Sequence, residues 1–219
     1  MSHLATHLAL AARTSIALLL FIPTALVTPA RADTEEPRFT VIERVGEIEV
    51  RQYGTRLAAD VVVEGDEDDA RSKGFRLLAD YIFGNNKTKS SIAMTAPVAQ
   101  EASRSEKIDM TAPVAQARGP GNTWRVRFFM PSKYTLETLP KPNNPAVQIV
   151  EVPGETMAVL RFSNSRSAER IAEKTNELIR GLEKTRWVAS GAAVTWLYDP
   201  PWTLPFFRRN EVAVPVRPR

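Results

Sequence analysis

The 219-residue chain contains no cysteine. Disulfides, thiolate metal ligands, cysteine nucleophiles and a lipid-modified cysteine anchor are therefore excluded. Histidine is almost as scarce, with only His3 and His7, both within the first ten residues. Those residues belong to a stretch that reads as an export signal. Arg13 precedes the apolar run Ile16 to Ile22, and Ala30-Arg31-Ala32 supplies small residues at a cleavage position. The expected signal is 1–32, and the expected mature chain, 33–219, has no histidine. That removes the serine-histidine-carboxylate triad, the HExxH zinc helix and any histidine bound to a metal. Pro23 interrupts the apolar run, which falls short of the ~20 residues that span a bilayer, so no stable membrane insertion is expected after cleavage. Charge of one sign is also in short supply. The whole chain carries 29 basic and 25 acidic residues, and loss of Arg13 and Arg31 leaves a net charge of +2. Such a balance argues against a nucleic-acid surface.

No Gly/Ser linker or long charge block divides the remaining 187 residues, which suit one domain and are read as a monomer. Their most distinctive feature is a phrase that occurs almost twice, Ile92-Ala-Met-Thr-Ala-Pro-Val-Ala-Gln100 and Ile108-Asp-Met-Thr-Ala-Pro-Val-Ala-Gln116. The polar stretch Glu101 to Lys107 separates the copies, which predicts two strands meeting across a hairpin. Helical periodicity predicts a helix from about Glu67 to Phe83, ended by Gly84. A second helix is predicted after Ser167, with Ala168, Ile171, Ala172, Thr175, Leu178, Ile179 and Leu182 on its apolar side. Further strands are expected over 39–45, 47–53, 56–63, 124–130, 147–152, 156–162 and 192–197. A longer-range echo joins Glu43 to Tyr53 with Glu151 to Phe162 and suggests two pseudo-equivalent halves. Near the C-terminus, Tyr198-Asp-Pro-Pro-Trp-Thr-Leu-Pro-Phe-Phe-Arg-Arg-Asn-Glu-Val212 is too rich in proline and rings for an ordinary solvated loop and is expected to cover an apolar surface.

Several of these phrases fall in one order. Gly74 to Asn86, both Met-Thr-Ala-Pro-Val copies, Phe128-Phe-Met-Pro131, Ala158 to Ser163 and the Tyr198 to Val212 run resemble the SOUL family, named as haem-binding proteins. The resemblance spans about Arg38 to Val216. It implies an α+β fold, a distorted antiparallel β-barrel of two pseudo-repeated halves flanked by two long α-helices. It also implies non-enzymatic binding of haem or another tetrapyrrole, in a cleft between the first helix and the C-terminal Pro/aromatic loop. Carried onto this chain, the apolar walls are Phe75, Leu78, Ala79 and Ile82 opposite Pro200, Pro201, Trp202 and Phe206. The rim cations are Arg71, Arg76, Arg208 and Arg209. Better-known members have basic residues where this helix has Ser72 and Asp80, so two propionate partners are missing here.

With no histidine or cysteine in 33–219, an iron ligand is sought among tyrosines and methionines. Tyr81 is the candidate on the helix, with Tyr198, Met94 and Met110 as others. Each also has a plain structural role open to it: Tyr81 as a buried ring, and Met94 and Met110 as packing. No carboxylate pair stands in a setting that would separate its pKa values, and no nucleophile-base pair is recognisable. Two alternatives stay open: an effector-binding or protein-interaction module for another amphipathic ligand, and an enzyme acting on a tetrapyrrole or lipid-like substrate. In a bacterial cell the signal would deliver the protein to the periplasm.

Overall fold

The structure, a computed structural model, describes residues 34–88 and 105–219. The expected signal and the first Met-Thr-Ala-Pro-Val copy, with Met94, lie outside the described residues, as does the expected hairpin between the copies.

Chain order runs β1 (Phe39–Val45), β2 (Ile48–Tyr53), β3 (Arg56–Glu64), α1 (Glu67–Ile82), β4 (Asn86–Lys87), β5 (Val114–Arg118), β6 (Thr123–Phe129) and β7 (Lys141–Pro142). It continues with β8 (Gln148–Val152), β9 (Glu155–Phe162), α2 (Ala168–Leu182), β10 (Trp187–Ala189), β11 (Val194–Leu197) and β12 (Asn210–Pro218). Ten strands make one antiparallel sheet in the order β1-β2-β9-β12-β11-β5-β6-β3-β8, with β10 added against β12. β4 and β7 form a small separate ribbon. The large sheet curls into a half-barrel.

The two halves are real, but their equivalence differs from the sequence echo. β3 leads directly into α1 as β9 leads into α2, whereas β2 and β9 are antiparallel neighbours, Ile48 facing Leu160. Each half gives its opening strand to the other: β2 borders β9, and β8 borders β3. The seam in the middle is β5 against β11.

Strand alternation sorts side chains onto two faces. On one face, α1 covers Ala59, Val61, Val126 and Phe128, while α2 covers Val50, Ala158, Leu160, Val212 and Val214. On the other face, Tyr53, Ala58, Phe129, Met157, Val159, Trp196 and Ala213 pack together across both halves. Both helices begin at true caps. The Asp66 carboxylate accepts from the Asp69 amide at 2.8 Å, and the Ser167 hydroxyl accepts from the Arg170 amide. Of the expected apolar stripe on α2, Ile171, Leu178 and Leu182 are buried and Ile179 is exposed.

α1 approaches the sheet most closely at Gly74. A Cβ there would lie 2.5 Å from Val126 Cγ2 and 2.6 Å from its Cβ. Val126 is fully buried and has no room to retreat. Gly74→Ala is expected to destabilise the protein by about 1–3 kcal/mol through overpacking. Thermal unfolding should register this as a loss of several degrees, at roughly 2–4 °C per kcal/mol for a domain of this size.

Candidate ligand-binding site

The residues expected to wall the cleft divide between core and surface. Leu78 and Ile82 are sealed in the core beneath α1, at 0% and 1% exposure, because they sit on the helix side that meets β3 and β6. They offer no open wall. Ala79 is half-buried and Phe75 is open on one side, with its ring set edge-on against Phe128 at 5.3 Å between centroids. Tyr81 is likewise a core residue. Its hydroxyl donates to the Pro140 carbonyl at 2.8 Å, and burial raises its pKa, disfavouring the phenolate that iron would bind. Tyr198 is also committed: its hydroxyl donates to Glu211 at 2.8 Å, and burial raises its pKa too. Met110 remains partly exposed.

The C-terminal loop does the reverse of hiding its rings. Trp202 is 82% exposed, Phe207 69% and Phe206 61%, with Leu204 beside them; Pro200 and Pro201 are also exposed. The backbone beneath is stitched in place. Arg208 donates from Nε to the Thr203 carbonyl at 2.7 Å and from Nη2 to the Pro201 carbonyl at 2.8 Å. Arg166 Nη1 donates to the Asp199 carbonyl, and the Arg209 amide donates to the Asp199 carboxylate at 2.6 Å. The Asn164 amide donates to the Pro205 carbonyl, tying the loop to the entry of α2. Such a loop presents its rings without having to fold around a ligand.

Arg166 is the residue that sequence reading overlooked. It sits just before the Ser167 cap and is half-buried. Burial lowers its pKa, and the neighbouring charges of Arg208 and Arg71 lower it further. Arg71, near the start of α1, and Arg208, in the loop, are thus near enough for their charges to act on Arg166. Arg71 pairs with Asp68 and reaches Gln116, while Arg76 is exposed, with no ion pair among the described residues. The one signal that could have found Arg166 is its place beside a cap, which gives no hint of the loop.

Arg209 belongs elsewhere. Its guanidinium lies 3.7 Å from the centre of the Tyr198 ring, grips Glu36 at 2.9 Å and reaches Glu211 at 3.1 Å. Glu211 is fully buried, and it also binds Arg51, 2.8 Å away on β2. Burial opposes the charge on Arg51, yet the hydrogen bond and charge of Glu211 outweigh it and raise the arginine's pKa. This network occupies the helix-free face of the sheet. Beside it lies a cavity of about 350 Å³, lined by the segment Glu35 to Arg38, the β2–β3 turn and the chain after β6.

A curled antiparallel half-barrel of two strand-exchanging halves, with a helix laid on each, defines the two-halved α+β barrel class. The sequence profile of the SOUL heme-binding protein family matches residues 34–215, and the chain belongs to that family. Among solved structures it is similar to the EcmrR C-terminal domain, at 9% identity and a TM-score of 0.56, over 78% of this chain and 98% of that one. It is also similar to a hydrolase from Listeria innocua, at 13% identity and a TM-score of 0.53, over 80% of this chain and 94% of that one. Identities this low show a shared fold alone. Compared with curated proteins, the chain has no significant match.

The buried network supplies a stability test. Arg51→Met leaves Glu211 in the interior without its main counter-charge and is expected to cost about 3–5 kcal/mol. Urea denaturation measures it. Adding Glu211→Gln to Arg51→Met should recover part of that loss, since the stranded charge is then gone.

Proposed function

We propose that this protein binds haem or another tetrapyrrole by its faces, on the surface formed by the C-terminal loop and the open side of α1. The observation that carries the reading is the exposed aromatic loop, whose backbone Arg166 and Arg208 hold by hydrogen bonds. Trp202, Leu204, Phe206 and Phe207 supply apolar area far beyond the scattered exposure of an ordinary surface. Phe75 supplies a further ring on α1. Arg71, Arg76, Arg166 and Arg208 supply positive charge for propionates. Family membership supports the same ligand class.

The iron has no histidine or cysteine to meet in 33–219, and Tyr81 and Tyr198 are committed to bonds of their own. Affinity therefore comes from burying macrocycle area, at ~25 cal/mol per Å² before the cost of association. The setting that goes with this reading is an exported, periplasmic monomer that captures or buffers its ligand. Among the described residues no helix is long and apolar enough to cross a membrane.

Titration of the purified protein with haemin and with metal-free protoporphyrin, followed by absorbance and tryptophan quenching, tests the reading. Equal saturable binding is expected. Trp202→Ala combined with Phe206→Ala should weaken both ligands by at least about 10-fold, the loss of roughly 1.4 kcal/mol or more of ring contact. Tyr81→Phe should leave the haem spectrum unchanged, and Phe75→Asp should reduce binding in a folded protein. No saturable binding of either ligand would overturn the proposal in favour of an effector module. Turnover of the tetrapyrrole would favour the enzyme.

A further inference from the structure

On the face of the sheet away from both helices, Arg56 is placed as few arginines are. Its guanidinium lies 4.5 Å from the centre of the Tyr53 ring and 4.7 Å from that of Phe129. Its side chain is 9% exposed, and Nη2 is held by Glu155 at 2.6 Å. The other two nitrogens, Nε and Nη1, are closed off from solvent and have no hydrogen-bond partner. Rings on both flanks stabilise the cation but accept no directed N–H bond at these nitrogens. A buried charged donor left unmet costs more than an unpaired neutral one, so folds rarely keep one without a use.

Arg56 lines two neighbouring spaces. One is the cavity of about 350 Å³, whose apolar surface comes from Leu57, Phe129, Met130 and Pro131. The other is a void of about 10 Å³ beside Tyr53, Trp196 and Tyr198, close to the smallest space that holds one water. Glu36 and Pro37 line both. Three acidic residues line the larger cavity, of which two are engaged, Glu36 by Arg209 and Glu35 by the Ser132 amide at 2.9 Å; Glu151 is the third. The cavity is at the small end of the range for ligand sites, with apolar walls and a cation short of acceptors.

We infer that this cavity is a second binding site, separate from the aromatic loop, for a small organic carboxylate whose oxygens meet Arg56 and whose apolar body lies against Phe129 and Met130. A carboxylate supplies the acceptors that the fold withholds from Arg56. Because Nε and Nη1 are closed off, such a ligand reaches them only if the segment carrying Glu36 and Pro37, which lines both spaces, shifts.

The experiment uses benzoate as the probe and benzamide as its neutral counterpart of the same shape, each titrated calorimetrically into the purified protein. Benzoate is expected to bind at least about 10-fold more tightly than benzamide, the lower end of what a hydrogen bond to a charged group contributes. Arg56→Met should remove that difference, with circular dichroism confirming the fold and haemin binding left unchanged. Equal binding of the two probes overturns the inference, as does failure of benzoate to bind or benzoate affinity kept within about 3-fold in Arg56→Met. The first two outcomes are read on the unaltered protein, so they stand even if the variant does not fold. Haemin binding is scored separately, so either site can fail without the other.

Discussion

The Glu211 carboxylate is the point through which the halves of this protein hold one another. It accepts from Arg51 on β2, from Tyr198 after β11 and from Arg209 at the foot of the loop. Arg209 in turn reaches Glu36, in the segment ahead of β1. One buried anion thus connects the exchanged strand of the first half, the central strand of the second, the aromatic loop and the N-terminal segment. An interior charge is tolerated only when its lone pairs are used, and here four hydrogen bonds from three side chains fall two on each oxygen. Apolar packing alone would have joined these elements less selectively, because hydrophobic contact has no direction.

That arrangement gives the two faces of the sheet different work. The helix-covered face is conventional packing, closed enough for Gly74 to touch Val126. The opposite face mixes aromatic rings with Arg51, Arg56, Asp60 and Glu211. Arg127 clamps Asp60 with two bonds of 2.6 and 2.7 Å, so even its outer strands carry paired charge. A polar, partly hollow face suits a ligand better than a second layer of helices would.

Periodicity and capping residues made both helices legible, since Asp66 and Ser167 stand where their carboxylate and hydroxyl are needed. Thr123–Phe129 was legible because its rings and valine alternate with arginines, and Phe39–Val45 and Arg56–Glu64 because they are rich in β-branched residues. β12 was not. Pro215 and Pro218 argue against a strand, yet Asn210 to Pro215 pair with β9 and the last residues turn their pairing to β10. The loop stood out for its rings and prolines, but they stand exposed rather than covering an apolar surface, which composition could not reveal. The arginines beside it divided for a reason no spacing reveals. Arg208 turns to loop carbonyls, Arg209 to the buried Glu211 and the exposed Glu36, and Arg166 arrives from a distant part of the chain. Leu78 and Ile82 were expected on the cleft wall because the resemblance put them there, and Tyr81 was weighed as an iron ligand or a buried ring; a helical stripe says which side is apolar without saying what covers it.

The stitching of the loop by Arg208 runs entirely through main-chain carbonyls, at Thr203 and Pro201. Carbonyl acceptors are common to every residue type, so the shape of this segment is independent of the side chains it displays at 202, 204, 206 and 207. Substitutions at those four places can trade one preference for another while the frame stays put. The loop is in that sense an interchangeable fitting, open to gradual change in what it recognises at little risk to the rest of the molecule.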